Sequence, residues 1–403
     1  MSKRVVAIIT AGFFTLFAAF AIRYAYGLTL PYMLSALSIS KAEAGVIFSS
    51  YFIAATLLSP LIGILVDRFD AKIILSVFVA ILGAGACLMS LSSSVVQASI
   101  FFAITGIGHS ACWAPVVAVV MRWVSPQRRG IAISVVDLGT AAGIGCWSIL
   151  VPMIIRDHNW RTVWLSLGMT TLVVAGMNFF LIKSRPETKA GTVGPVNAQV
   201  TGTVDHGSYS QIFRDRRFYL IGFSYLFISF SIIIPFTFLI TYATQRLMVP
   251  YASATNLLLV MAVTGAIGKL ILAHISDRAG RIRVMMLCGL LTALGSFGMA
   301  YARGLPALWI SSSLFGIGYG TLWAVYAASA RDLFPGNYSG SIVGIWTVFH
   351  GVGSIIAPVF SGWTIDASGN YYYAFILAAS ASLLSILLLL PVKIVRPGTS
   401  ANK

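Results

Sequence analysis

Gly106-Ile-Gly-His-Ser-Ala-Cys-Trp113 and Gly316-Ile-Gly-Tyr-Gly-Thr-Leu-Trp323 are two versions of one phrase, set 210 positions apart in a chain of 403 residues. Other pairs keep the same offset. Asp67-Arg68 returns as Asp277-Arg278, Arg129-Gly130 lines up with Ser339-Gly340, and Asn159-Trp160 falls one residue from the counterpart of Asn370-Tyr371. Self-similarity at one fixed offset reads as a duplication, so the chain is expected to build two similar halves.

Composition says what those halves are made of. Hydrophobic residues are 58% of the chain and charged ones 9%, where ordinary globular domains carry about 25% charged residues. So few charges cannot keep a water-facing surface wet, and the chain is expected in a bilayer. A helix needs about 20 apolar residues to cross a hydrocarbon core of about 30 Å. Qualifying runs lie near 5–34, 43–66, 72–91, 96–122, 130–155 and 160–182, then 217–245, 252–275, 282–302, 306–330, 340–363 and 370–392. That predicts an all-α membrane protein of twelve transmembrane helices in two pseudo-symmetric six-helix halves. The halves are 1–182 and 217–403, joined by a polar, basic linker at 183–216. The first run is long and no small-residue cleavage site closes it, so it reads as a span and not as a signal peptide.

The charge is mostly topology. Lys and Arg number 27 against 11 Asp and Glu, a formal +16. In a soluble protein this balance would suggest nucleic acid, but here the cations sit in short loops. With both termini and the linker placed in the cytoplasm, 20 of them fall on that side and 5 on the other (Lys41, Arg156, Arg161, Arg246, Arg303). This is a strong positive-inside bias, and a bacterial inner membrane is the expected location. Cys87, Cys112, Cys146 and Cys288 lie inside apolar runs without metal-ligand or disulfide spacing, so no metal site and no cofactor are expected. Neither Gly-x-x-x-x-Gly-Lys-Ser/Thr nor HExxH occurs, which leaves no basis for an ATP-driven pump or a zinc hydrolase. Two six-helix halves joined by a linker are the layout of a secondary transporter whose site lies at the repeat interface.

Gly63-Ile-Leu-Val-Asp67-Arg68-Phe-Asp-Ala-Lys72, between spans two and three, resembles the loop signature of the major facilitator superfamily. Ser276-Asp277-Arg278-Ala-Gly280-Arg281, between spans eight and nine, is its second copy, and the resemblance covers the whole chain. It implies the major facilitator fold. An acidic residue at such a turn can cap a helix or pair with Arg, so Asp67, Arg68, Asp277, Arg278 and Arg281 are the expected conformational latch. Phe102 stands where many proton-coupled members carry Arg, which weighs against drug/proton antiport. Gly268-Lys269-Leu-Ile-Leu-Ala-His-Ile-Ser276 resembles the span-eight segment of monocarboxylate transporters and oxalate/formate antiporters. Those families place a carboxylate-binding Arg where this chain has Lys269. Oxalate antiporters also carry a Lys where this chain has His350, so the substrate class is implied but not the particular substrate.

Ionisable residues inside spans are costly and become candidates for function by default. Arg23 is read as an anion-binding or outer-gate cation, with a snorkelling side chain as the alternative. Lys269 lies eight residues before Asp277, about 12 Å along the helix, beyond the reach of one side chain to the surface. Asp137, the only acidic residue in the interior of a span, is expected to pair with Lys269 when the cytoplasmic side closes, or else to bond a nearby Ser or the backbone. His109 and Trp113 are four apart, and so are their repeat mates Tyr319 and Trp323. Each pair is therefore expected on one helical face, walling a shared cavity, with plain packing as the alternative. His350 is a second anion contact, a proton acceptor or a buried backbone-bonded His. The expected substrate-binding set is thus Arg23, His109, Trp113, Lys269, Tyr319, Trp323 and His350, with Asp137, His109 and His350 for proton coupling or gating. A cavity biased positive and walled by aromatics suits a small carboxylate. The expected function is proton-coupled symport of a monocarboxylate such as lactate, by a monomer. Exchange of dicarboxylate or oxalate type, and efflux of a hydrophobic compound, are the alternatives.

Overall fold

Backbone N–H and C=O groups cannot be left bare in hydrocarbon, so a chain this apolar folds into helices that satisfy themselves. The structure, a computed structural model, describes residues 3–182, 211–334 and 338–392, the side chains of residues 63, 64, 66, 67 and 126 apart. In the first half α1 is Lys3–Ala36, α2 Lys41–Arg68, α3 Ala71–Met89, α4 Val95–His109, α5 Trp113–Trp123, α6 Arg129–Asp157 and α7 Trp160–Leu181. In the second, α8 is Arg216–Gln245, α9 Tyr251–Ala279, α10 Arg281–Ala300, α11 Leu305–Leu333, α12 Ser339–Ser368 and α13 Tyr372–Leu389. With α4 and α5 counted as one crossing, they supply 12 segments long and apolar enough to span a membrane. Of the expected linker, residues 183–210 lie outside the described residues.

Short polar loops turn the chain. Ser40 and Glu43 form a capping box at the start of α2, Asp70 accepts from the Lys72 N–H at 2.8 Å, and Asn159 accepts from the N–H groups of Arg161 and Thr162. Between α9 and α10 the whole turn is one residue, Gly280, at φ +93°, a conformation that disfavours any Cβ. The odd crossings run from the face that holds residues 3, 182, 211 and 392 (the terminal face) to the opposite, far face. The even ones return.

Packing repeats with the sequence. In the first half α1 packs on α6, α2 on α4, and α3 on α4 and α7. In the second, α8 packs on α12, α9 on α11, and α10 on α11 and α13, which is the same scheme shifted by one half. The repeated glycines allow it. A Cβ on Gly106 would collide with the Tyr51 carbonyl, and one on Gly316 would crowd the Met261 backbone. The halves meet along α1 and α8, α2 and α12, and α6 and α9.

The fourth crossing departs from the scheme. α4 ends at His109, residues 110–112 form a turn, and α5 begins at Trp113 with no side-chain cap. Pro115 marks the position of the break, although α1, α2, α6, α8 and α12 run unbroken through an interior proline. Its ring has no N–H for the carbonyl of Ala111 and clashes there, one turn upstream. The corresponding residue of the unbroken α11 is Val325.

Candidate functional site

Residues 21–30 of α1 are buried without interruption, and Arg23 lies among them at 6% exposure. Its guanidinium stands over three rings, 4.8 Å from the centroid of Phe52, 5.3 Å from Tyr24 and 5.8 Å from Phe20. Nε and Nη2 have no hydrogen-bond partner. Cation–π contact offsets part of the cost of burying this charge, but two charged donors remain unspent. A snorkelling Arg would carry its head to the surface; this one does not.

Polar atoms without partners cluster around it. His109 lies with its ring 5.6 Å from Phe20 and 5.4 Å from Tyr51, and both its Nδ1 and the Tyr51 hydroxyl are buried and unpartnered. In the second half the His350 ring sits 4.4 Å from Trp323 and 5.2 Å from Tyr225, with Nε2 unpartnered. Arg23 is within electrostatic reach of His109, His350, Tyr51, Tyr225 and Tyr319. The two halves touch at this level through the hydroxyls of Tyr24 and Tyr319, 2.8 Å apart, beside Phe236.

Nearer the terminal face, Lys269 Nζ donates to Asp137 Oδ2 and joins α9 to α6 across the seam. The carboxylate side chain is 11% exposed and the lysine 28%. Of the two arrangements open to Asp137, the structure adopts the ion pair.

At the far face the halves are sealed. Asp366, near the end of α12, accepts from the N–H groups of Lys41 (3.2 Å) and Ala42 (2.8 Å), and so caps α2 from the other half. Lys41 Nζ is 3.7 Å from the same carboxylate. A Cβ on Gly27 would strike the Phe236 carbonyl, and one on Gly45 the Pro358 carbonyl, so backbones there approach too closely for any side chain. The Tyr251 hydroxyl donates to the Leu28 carbonyl at 2.6 Å.

Of the expected latch, Arg281 pairs with Asp277 at 2.6 Å and with Asp332 of α11 at 3.1 Å, and also bonds Ser276. Arg68 and Arg278 are exposed, and the side chain of Asp67 lies outside those described. The expectation that His109 and Trp113 share one helical face does not hold. The break puts them on different helices, and Trp113 is 43% exposed while Trp323 packs on His350 and Tyr225. Tyr319 and Trp323 do share unbroken α11.

Several residues here escape sequence reasoning. Tyr24, Tyr51, Phe52 and Tyr225 are uncharged aromatics in apolar runs that hold many others, and only Tyr24 has a signal, its place beside Arg23. Asp366 lies at a helix end, where an acidic residue draws no notice.

Residues 12–263 and 236–403 match the pattern of the Major Facilitator Superfamily. The chain is 23% identical over 388 residues to a hexuronate transporter of Bacillus subtilis, covering 93% of this chain and 91% of that one. It is 24% identical over 321 residues to monocarboxylate transporter 12-B of Danio rerio, covering 73% of this chain and 66% of that one. Its fold resembles a bacterial homologue of the human lysosomal transporter Spinster, solved inward-facing and unoccupied, with TM-score 0.77, 14% identity and coverage of 96% and 95%. It also resembles the nucleoside transporter NupG, with TM-score 0.76, 14% identity and coverage of 96% and 98%. With its twelve membrane-spanning segments and its match in both halves, the chain belongs to the Major Facilitator Superfamily, integral membrane transporters and not enzymes.

Proposed function

We propose that this protein carries a small organic anion with one carboxylate, by proton-coupled symport. The observation that carries the reading is Arg23: a buried guanidinium with two unpartnered nitrogens, held between the halves in a span that has no carboxylate of its own. A desolvated cation with unspent donors is a receptor for an anion. The relatives named for hexuronate and for monocarboxylates fit a carboxylate cargo. Lys269 is the second cation, held by Asp137 until a proton or a carboxylate competes for the pairing. His109 and His350 add titratable nitrogens beside the fixed charge.

Alternating access then follows from the seam. Residues 1–182 rock against 217–403, one state opening the far-face seal at Lys41, Gly45 and Asp366 and the other parting the Asp137–Lys269 pair, both of which are closed in this structure. By the positive-inside count the terminal face is cytoplasmic. Uptake of a labelled carboxylate panel into proteoliposomes, with and without a pH gradient, tests the whole reading. Symport requires that an inward proton gradient drive accumulation. Accumulation only against a trapped anion, indifferent to pH, makes the protein an exchanger instead. Lys269→Ala is expected to abolish the gradient-driven part, and unaltered uptake removes Lys269 from the site.

A further inference from the structure

The charged group of this site and its walls point to different parts of a cargo. The fixed positive charge not held in an ion pair at this level is Arg23, since Lys269 is engaged by Asp137. The unpartnered donors around it are two guanidinium nitrogens and the Tyr51 phenol, three for one carboxylate, with one imidazole nitrogen each of His109 and His350 beside them. Of the other tyrosine hydroxyls, those of Tyr24 and Tyr319 bond each other and that of Tyr326 bonds Ser224 at 2.6 Å. Beside the Tyr225 hydroxyl and the His350 nitrogen, what the second half presents is ring surface. Tyr225 stacks on Tyr326 at 4.2 Å with planes 15° apart, and Trp323 stands edge-on to Tyr225 at 5.6 Å. Phe20 and His109 on one side, and Trp323 and His350 on the other, are only partly buried, whereas Tyr24, Tyr51 and Tyr326 behind them are fully so.

Resting on the carboxylate reading above, we propose that this site selects monocarboxylates whose tail is a flat apolar ring, with Arg23 taking the carboxylate and the Trp323–Tyr225 wall taking the ring. Aromatic rings reward a flat partner through offset or edge-to-face contact and give nothing comparable to a methyl group. A sugar acid fares worse, because each of its hydroxyls must give up water for a ring face. A dicarboxylate leaves its second charge without a free cation. Trp323 and Tyr225 are therefore specificity-determining residues, and Arg23 is the common anchor.

The test uses the full-length protein in proteoliposomes, with labelled phenylacetate counterflow and competition by unlabelled phenylacetate, benzoate, acetate, lactate, glucuronate, oxalate and neutral benzyl alcohol. Phenylacetate and benzoate are expected to compete roughly tenfold better than acetate or lactate, as one or two ring contacts allow. Glucuronate and oxalate should be weaker still. Trp323→Ala should level the aromatic acids with acetate, and Trp323→Phe should restore most of the difference. Trp323→Ala is read only with the Phe variant folded, and Tyr225→Leu gives the same comparison from a second position. Lactate or glucuronate equal to phenylacetate overturns the proposal and leaves the carboxylate reading standing. Competition by benzyl alcohol alone, with no carboxylate active, overturns the carboxylate reading itself. A panel in which nothing competes and no counterflow occurs overturns both.

Discussion

The fourth crossings of the two halves share four of eight residues at the repeated phrase and fold into different objects. In the second half α11 runs unbroken, so Tyr319 and Trp323 stay one turn apart, one bonded to Tyr24 across the seam and the other against His350. In the first half the helix breaks after His109, which keeps its place beside Phe20 and Tyr51, while Trp113 starts a new helix with much of its ring uncovered. The duplication set the frame, and Pro115 in place of Val325 released one side of it. The result is a division of labour. The first half brings the buried charge of Arg23, and the second brings a stacked aromatic wall.

The largest expected effect comes from importing the break. Val325→Pro should split α11 one turn above, at a cost of ~3 kcal/mol or more, read as a lost or sharply lowered melting transition in detergent. The reverse change, Pro115→Val, should restore a continuous crossing and slow backbone hydrogen exchange at residues 110–113. Unchanged exchange there means that Pro115 is not the cause of the break.

Next is the charge itself. Arg23→Ala is expected to weaken carboxylate binding roughly a hundredfold, ~3 kcal/mol, the scale for removing one partner of a buried charged contact. A change below threefold in competition assays would show that the first half does not supply the anchor.

Asp137→Asn strips Lys269 of its partner. Because both side chains keep some access to solvent, the expected loss of stability is ~1–2 kcal/mol, with Asp137→Asn/Lys269→Met recovering most of it. A double variant no more stable than the single one argues that the pair does not couple the halves.

Asp366→Ala removes the cap that α12 places on α2, worth about 1 kcal/mol. Opening of the far face should rise by about fivefold. The readout is thiol labelling of a Thr29→Cys reporter, which is sealed inside that face. Equal labelling with and without Asp366 would mean that the seal rests on backbone packing alone.

The smallest effect lies outside the spans. Arg217 beside Asp215 holds that carboxyl below its ordinary range. The capping contribution is therefore present above the unfolded value of ~3.9 and is lost only as pH falls through the depressed one. Asp215→Asn should flatten the acid limb of the melting curve slightly and leave transport unchanged.

Much of this could be read without coordinates. Twelve crossings follow from apolar run length, since a bilayer's thickness converts directly into residue count. The helix ends agree with the runs to a few residues; the largest excess is at α12, which continues to Ser368 past the end of the run at 363. Arg23, Lys269 and Asp137 stood out because an ionisable group in hydrocarbon is visible by its cost alone. The aromatic members of the site were not visible, because in a chain with 25 Phe and 16 Tyr a ring carries no signal until its neighbours are known.

The sequence by itself determined that this chain crosses a membrane in two related halves, and which few charged side chains lie within it. Those follow from local quantities: hydropathy summed over a run, and a repeat at one offset. Only the tertiary structure decided between the two arrangements open to Asp137 in favour of Lys269, and showed that Tyr24 meets Tyr319 and that Asp366 caps a helix more than 300 residues away. Each of these joins crossings from opposite halves. Such pairings depend on how two bundles lie against each other, a relation that no periodicity within either bundle encodes.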